Sequence, residues 1–164
     1  MADESVDRGV RQYVLFRLCG EEYGLPIASV QSIIRYEEPT PVPHAPEGVE
    51  GVFNLRGQVL PLIDLGRRLR GEAITATATS RIIVAEAGMG PVGLAVDLVH
   101  EVATLPVAEI KPAPQGAVTA DMAEAFEGVA NYGGQLVILL DPEKALPKPA
   151  FASSHGQEEG GEDV

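Results

Sequence analysis

The segment 88–93 has the glycine spacing that could bind a dinucleotide. It reads GMGPVG, which satisfies G-x-G-x-x-G, and Glu109 lies near the separation at which such folds place a ribose-binding acid. The pattern has this meaning only where a helix begins at the third glycine. An internal repeat, described below, aligns Gly93 with Gly24 and makes the loop the tip of a hairpin. We therefore expect no nucleotide site, and a small-molecule-binding β-barrel that uses this loop is a distant alternative.

The histidines and the cysteine could bind a metal or supply a nucleophile only if they came together. His44, His100 and His155 lie in a proline-rich loop, an apolar segment and the C-terminal tail, without the close pairing typical of metal ligands. Cys19 is the only cysteine, which excludes an internal disulfide and a multi-cysteine metal site. A lone cysteine is most often a small buried apolar residue, with a reactive thiol as the alternative. We expect no metal and no cofactor.

Two aspartates follow apolar strands, where a catalytic carboxylate could lie. Asp64 precedes the dipeptide LG and Asp141 precedes PE, so each is placed to cap the first turn of a short helix. No serine lies in a nucleophile elbow, and no cysteine and histidine form a recognisable catalytic arrangement. The sequence therefore does not indicate an enzyme.

Arg56 interrupts an apolar run at a place where the fold does not need an arginine. Residues 50–65 read EGVFNLRGQVLPLIDL, and the matching segment from Glu127 reads EGVANYGGQLVILLDP, in which Gly133 stands in place of Arg56. An exposed turn residue is one interpretation. We favour an arginine that binds a carboxylate or the backbone of a partner, because its planar guanidinium presents several hydrogen-bond donors at once.

The chain contains two copies of one small unit. Besides the pair above, YGLPIASVQSII from Tyr23 matches VGLAVDLVHEVA from Val92, and VPHAPEG matches IKPAPQG. The second copy carries about nine extra residues, around 117–125. A repeated pattern separates what the fold requires from what one copy carries alone.

Each copy has the composition of short antiparallel strands. RQYVLFRL and RIIVAEA are rich in β-branched and aromatic residues, and RG at 56–57 and GG at 133–134 take the place of tight hairpin turns. Such strands predict a mainly β fold of two small barrels, because closure protects the sheet edges. We expect one domain at 10–148, with lobe one at roughly 11–75 and lobe two at roughly 76–146, and the sequence leaves any exchange of strands between the lobes open.

Short helices are expected at two places. The spacing of Val30, Ile33 and Ile34 is helix-like, as is that of residues 65–70. Four prolines exclude regular structure between residues 38 and 46.

The charge balance excludes several classes of partner. The chain has 24 acidic and 12 basic residues and a net charge of −12, the wrong sign for nucleic acid or an anionic membrane. About half of this charge lies in the ends, residues 1–9 and 149–164, which we expect to be disordered tails. The first residues lack a signal peptide's apolar core and no run reaches the ~20 apolar residues that span a bilayer, so a cytoplasmic protein is expected. Three arginines at 67, 68 and 70 read as an exposed helix face, or as a contact with an acidic partner.

These segments resemble the CheW family of chemotaxis coupling proteins. The resemblance rests on EEYGLPIASVQSI, APEGVEGVFNLRGQVLPLIDL, VGLAVDLVHEV, IKPAPQG and LVILLDPEKAL, and covers about 12–146 in order. It implies two five-stranded SH3-like β-barrels, side by side, with an apolar groove between them. It also implies a non-enzymatic cytoplasmic adaptor that joins the hairpin tip of chemoreceptors to the regulatory domain of the histidine kinase CheA in membrane-associated arrays. The same module in a non-flagellar pathway, such as surface motility, is a close alternative.

The resemblance also implies which residues bind. By matching position, the receptor-binding groove would include Val30, Ile33, Val99 and Val102, with Arg56 and Gly57 at its margin. Lys111 falls where the family has a basic residue at a ring contact with the kinase.

Two positions depart from the family pattern. Ser32 stands where members commonly carry a glutamate, although the second copy keeps Glu101 there. Arg56 is then either free for a partner or bound by Glu37 or Glu38. Gly116 stands where members often have a bulky aromatic residue at the ring contact, which predicts a weaker contact because less apolar area is buried.

Overall fold

The structure, a computed structural model, describes residues 9–46, 48–86, 90–112 and 125–146. Within these residues the chain is mainly β, as predicted. The expected tails lie almost entirely outside the described residues, as does most of the insertion at 117–125. The ten strands are β1 Val10–Leu18, β2 Glu21–Pro26, β3 Val30–Arg35, β4 Val49–Leu55, β5 Gln58–Asp64, β6 Arg81–Glu86, β7 Pro91–Val96, β8 Leu98–Pro106, β9 Phe126–Tyr132 and β10 Gln135–Leu140. The helices are α1 Leu65–Arg70 and α2 Pro142–Ala145, with single 3-10 turns at Ile27–Ser29 and Val107–Glu109.

The strands form two five-stranded sheets that exchange hairpins between the two copies. One sheet has the order β3-β6-β7-β5-β4 and the other β8-β1-β2-β10-β9. We call the first the continuous barrel, because its strands follow one another from β3 to β7. The second is the split barrel, because β1 and β2 join β8, β9 and β10. Each barrel therefore combines the first hairpin of one copy with the last three strands of the other.

The lobes thus differ from the expected division at residues 75 and 76. The chain crosses between barrels at Ile27–Ser29 and, at the matching position of the second copy, at Asp97. After each link the next strand pairs in the neighbouring barrel, β3 with β6 and β8 with β1. Isolated antiparallel bridges, Thr40 with Val52 and Lys111 with Val129, join the outer strands of each sheet.

Strand alternation produces three apolar cores. Successive side chains of a strand point to opposite faces, so β1 sends Tyr13 and Leu15 into the split barrel and, after a bulge, Phe16 and Leu18 into a central core between the barrels. In the same way β6 directs Ile82 into the continuous barrel and Ile83 into the central core. The first hairpin of each copy is therefore apolar on both faces, which explains the unbroken apolar runs YVLF in β1 and IIVA in β6.

Residues 30–35 form a strand, so the helix predicted from the spacing of Val30, Ile33 and Ile34 is wrong. β3 alternates between half-buried and exposed residues and pairs with β6, opposing Ile33 to Ile83. Pairing with a neighbouring strand outweighs a three-residue pattern that fits either period.

The predicted helix at residues 65–70 is confirmed, together with both caps. The Arg67 backbone N–H donates to Asp64 Oδ1 at 3.0 Å, and the Glu143 N–H donates to Asp141 Oδ1 at 3.0 Å. Each aspartate satisfies an orphan donor of a first helical turn. These carboxylates therefore have a structural role.

The glycine of the dinucleotide-like pattern lies inside a strand. Gly93 belongs to β7, which pairs antiparallel with β6, and a Cβ there would collide with the ring of Phe53. Its counterpart Gly24 lies against Leu139 in the split barrel. These glycines allow close packing of barrel interiors, and no helix begins at Gly93.

Candidate binding surface

The β4–β5 turn carries an arginine in a conformation that favours glycine. Arg56 has φ 53° and Gly57 has φ 89°, the two positive values of a type I′ hairpin turn. The Gly57 N–H donates to Asn54 Oδ1 at 2.9 Å, which fixes the turn. The left-handed region costs a non-glycine residue about 1 kcal/mol. The matching turn has Gly133 with φ 60°, so the arginine adds strain that the fold does not require.

The Arg56 side chain is exposed and has no acceptor among the residues that the structure describes. Neither Glu37 nor Glu38 forms an ion pair with it there. Of the two alternatives for Arg56, the structure supports the free guanidinium. An unpaired cation in a chain rich in carboxylates is available to an external acceptor.

In the split barrel, the residue that matches Ser32 contacts the β9–β10 hairpin of the same barrel. Glu101, the counterpart of Ser32, lies beside Tyr132 at the β9–β10 turn, and its carboxylate raises the pKa of that phenol. In the continuous barrel Ser32 carries no charge, so nothing equivalent holds the β4–β5 turn or neutralises Arg56. The two copies therefore present different chemistry at the same place.

The four predicted groove residues divide into two pairs. Ile33 and Val102 are exposed, at 40% and 46% of their maximal area, on the matching strands β3 and β8. Val30 and Val99 are half-buried and pack against the same central core from opposite barrels. The structure thus packs Val30 and Val99 against the central core and leaves the other two residues at the surface.

The Arg56 turn lies beside the end of β3. Leu55, Ile34 and Tyr36 pack into one cluster in the continuous barrel, and the Thr40 bridge to Val52 aligns the chain after β3 with β4. This arrangement places Arg56 and Gly57 near the exposed face of β3.

Lys111 lies on the split barrel at a closing bridge. Its backbone N–H donates to the Val129 carbonyl at 2.8 Å and its carbonyl accepts from the Val129 N–H at 2.7 Å, while the residue itself is exposed. Val52 and Val129 are matching residues of the two copies, so their bridges to Thr40 and Lys111 make Thr40 the structural counterpart of Lys111. The sequence alignment of VPHAPEG with IKPAPQG instead matches Lys111 with Pro43. Gly116 lies outside the described residues.

The arginines of α1 bind groups within the chain, which neither sequence interpretation anticipated. Arg67 pairs with Glu50 at 3.0 Å, Arg68 Nε donates to the Ala145 carbonyl at 3.0 Å, and Arg70 lies 4.0 Å from Glu21 and contacts the Tyr23 hydroxyl. The hydrogen bond with Tyr23 raises the pKa of Arg70. Because Ala145 and Tyr23 belong to the split barrel, α1 joins the two barrels.

The other candidate residues serve the structure as well. His100 Nε2 lies 3.1 Å from the buried Glu22 carboxylate, which also accepts from Arg17 Nε at 2.8 Å. His44 is exposed in its loop, and His155 lies outside the described part of the chain. No group of histidine, cysteine or acidic residues suited to a metal occurs within the described ranges.

Cys19 is not in the core, contrary to the sequence interpretation. It is half-buried in the β1–β2 turn with φ 50°, and its Sγ lies 3.7 Å from the Glu72 carbonyl. Burial, followed by the charges of Glu72 and Asp97, raises the pKa of the thiol. A raised pKa reduces the thiolate fraction and hence the reactivity.

The described helices include none with the length and apolar character needed to cross a bilayer.

The candidate binding residues are the exposed apolar residues on β3 and β8, an unpaired arginine beside β3, and an exposed lysine on the split barrel. These are features of a protein-binding surface.

Comparison with known proteins agrees with this description. The family model "CheW-like domain" matches residues 12–150. The chain is 35% identical over 152 residues to "Chemotaxis protein CheW" of Klebsiella aerogenes, covering 93% of this chain and 89% of that protein. It is 34% identical over 142 residues to "Protein FrzA" of Myxococcus xanthus, covering 85% and 87%. The crystal structure of the scaffolding protein TtCheW from Thermoanaerobacter tengcongensis is similar with a TM-score of 0.75 and 33% identity, covering 84% of this chain and 88% of that one.

Proposed function

Because the chain belongs to the CheW family of chemotaxis adaptor proteins, we propose that it joins the cytoplasmic hairpin tip of chemoreceptors to the regulatory domain of the kinase CheA. It acts without catalysis, in the cytoplasm, and is recruited to membrane-associated receptor arrays. A scaffold of this kind changes kinase output only if it binds two kinase states with different affinity. The adaptor therefore holds receptor and kinase in one geometry that favours one of these states.

The receptor tip lies in the groove at the junction of the barrels. An amphipathic helix buries its apolar face in a hydrophobic groove, and here Ile33 and Val102 offer exposed apolar contacts while Val30 and Val99 form the floor. Arg56 binds the receptor tip at the margin of this groove. The observation that carries this assignment is the unpaired guanidinium of Arg56 on a turn that would be less strained with glycine.

The kinase binds a different surface. Lys111 is exposed on the split barrel, in the bridge to Val129 that closes it and beyond the β8 residues assigned to the groove, so both partners can bind at once. Simultaneous binding at two surfaces is what an adaptor requires.

Two calorimetric titrations test this function. The wild-type protein is titrated with a soluble receptor hairpin fragment, first alone and then after saturation with the CheA regulatory domain. We expect binding in both titrations with similar affinity, and binding of the CheA domain to the free protein. Lys111→Glu is expected to weaken the CheA titration and leave the receptor titration unchanged. Failure to bind either partner, or competition between them, would refute the adaptor assignment.

A second candidate is the same module in a non-flagellar pathway. The similarity to Protein FrzA, a relative whose name does not include chemotaxis, favours keeping this candidate. Receptor fragments from each chemosensory pathway of the host, titrated in parallel, separate the two, because the cognate fragment binds most tightly.

A further inference from the structure

A second arginine shares the features that single out Arg56. Arg35 is the last residue of β3, is exposed, and lies two positions from Ile33, so both side chains emerge from the same face of the strand. Residues two apart on a strand are neighbours on its surface. Arg35 thus places a cation next to an exposed apolar side chain.

Arg35 has no hydrogen-bond or ion-pair partner within the part of the chain that the structure describes. The other described arginines, apart from Arg56, all bind a carboxylate or a backbone carbonyl: Arg11, Arg17, Arg67, Arg68, Arg70 and Arg81. Opposite Arg35 on β6 lies Arg81, which donates to the Ala78 and Ser80 carbonyls and leaves a second cation nearby. The protein is acidic and its other described arginines are paired, so packing does not explain why Arg35 and Arg56 have no partner.

The duplication shows that the fold does not require either residue. The counterpart of Arg35 on β8 is Thr104, and the counterpart of Arg56 is Gly133. Both arginines therefore belong to the continuous barrel alone. They also lie at the same end of it, because the chain after β3 runs antiparallel to β4 at the Thr40–Val52 bridge, and the arginines come shortly before Thr40 and shortly after Val52.

Neither Glu37 nor Glu38, the nearest acidic residues in sequence, forms an ion pair with Arg35 or Arg56 within the described residues. Glu38 lines a recess with Tyr36, Glu50 and Asp64. Burial, followed by the charges of Glu38, Asp64 and Glu50, raises the pKa of the Tyr36 phenol. The Glu38 carboxylate thus lies on the Tyr36 side of the segment, and strand alternation directs Arg35 to the other side.

We propose that Arg35 and Arg56 form one two-guanidinium site that binds carboxylates on an acidic, amphipathic helical segment of the receptor tip, beside the apolar contact of Ile33. This inference rests on the proposed function and adds a specificity-determining residue, Arg35, and the charge of the partner. Arginine is suited to this task because its fork binds a carboxylate through two parallel hydrogen bonds. A receptor tip with neutral residues there would bind more weakly.

The test compares Arg35→Thr, which installs the residue of the second copy, with Lys144→Gln. Lys144 is exposed on α2 and without a partner in the described residues, so its loss matches the change in net charge. Both variants are titrated with the receptor hairpin fragment at low and high salt. We expect Arg35→Thr to weaken binding about fivefold at low salt and less at high salt. Lys144→Gln should change the affinity less than twofold.

A second fragment, with the acidic residues of its tip replaced by their amides, identifies the partner groups. Wild type and Arg35→Thr are expected to bind this fragment equally. If Arg35→Thr binds the original fragment as wild type does, the two-guanidinium site is refuted and the adaptor function stands. If Arg35→Thr weakens binding of the CheA domain and not of the receptor fragment, the partner of this site is wrongly assigned. If wild type binds no receptor fragment, both proposals fail.

Discussion

Arg56 and Gly133 occupy the same position in two matching hairpin turns and have nearly the same backbone, with φ 53° and 60°. One residue is strained there and the other is not. The difference between the copies therefore reports a requirement outside the fold, since each turn has two residues and closes an antiparallel hairpin. The same comparison identifies Arg35 through its counterpart Thr104. Duplication thus supplies an internal control for reading single residues.

Replacement of Ile33 by aspartate is expected to abolish receptor binding with little loss of stability. The side chain is 40% exposed, so a carboxylate there stays hydrated but cannot enter an apolar contact, and it would repel an acidic partner. Val30→Asp is the contrasting variant, because Val30 packs against the central core and should lose about 2 kcal/mol or more of folding free energy. Urea unfolding and receptor titration of both variants check this. Equal destabilisation by the two changes would contradict the division into floor and surface residues.

The bond between Arg68 and Ala145 should help to hold the barrels together. Arg68→Ala removes a hydrogen bond from one barrel to a carbonyl of the other and is expected to cost about 1 kcal/mol. Arg67→Ala is the matched control, since its ion pair with Glu50 is exposed and should contribute almost nothing. Denaturant midpoints at equal slope measure both. A loss for Arg67→Ala as large as for Arg68→Ala would show that helix α1 as a whole, rather than its contact with the split barrel, sets the stability.

Gly93→Ala should destabilise the continuous barrel by about 1–3 kcal/mol, because the added methyl collides with the Phe53 ring in a filled interior. Phe53→Leu in the same chain is expected to recover part of the loss by making room. The melting temperatures of the two single variants and the double variant give the coupling. Additive losses of stability in the double variant would mean that residues 93 and 53 do not touch. As a check on the dinucleotide-like motif, nucleotides should not raise the melting temperature of the wild type.

Tyr13 gives the fold a defined alkaline limit. Burial, together with the hydrogen bond from its hydroxyl to Glu127 Oε1 at 2.9 Å, raises the pKa of this phenol to about 12 from 10.0. The folded protein therefore retains a proton that the unfolded chain loses, so this contribution to stability is complete below pH 10 and declines between pH 10 and 12. Tyr13→Phe should flatten that decline. Unfolding free energies at several pH values test it, and an unchanged slope in the variant would assign the decline to other groups.

Much of the fold could be predicted from local pattern, whereas the pairing of strands could not. Both helix caps and both tight hairpin turns depend on residues within a few positions of Asp64, Asp141, Arg56 and Gly133, and the structure confirms all four. The exchange of hairpins depends on which barrel a strand joins after Ile27–Ser29, and each barrel offers nearly the same partner sequence. The apolar alternation is satisfied equally by either choice, so the sequence left the question open.

The candidate site shows the same limit at the level of side chains. The repeat pairs Val30 and Ile33 with their counterparts in the second copy, but the spacing of these residues predicts a helix. Only the strand pairing, with the bulge next to Val30, shows which of them faces the central core. The sequence alone predicts that the arginines of α1 face solvent or a partner, because their acceptors, such as the Ala145 carbonyl, are distant in sequence. The unpaired state of Arg35 could be seen only once the other arginines had been matched to their partners.

The most direct test of the account is Arg56→Gly, which gives the β4–β5 turn the residue found in the second copy. Melting temperature and affinity for the receptor fragment are measured on the same preparation. We predict an unchanged or higher melting temperature, with up to about 1 kcal/mol gained from the relieved backbone, and an affinity about tenfold lower. A lower melting temperature with unchanged affinity would show that Arg56 serves the fold and would contradict its assignment to the receptor.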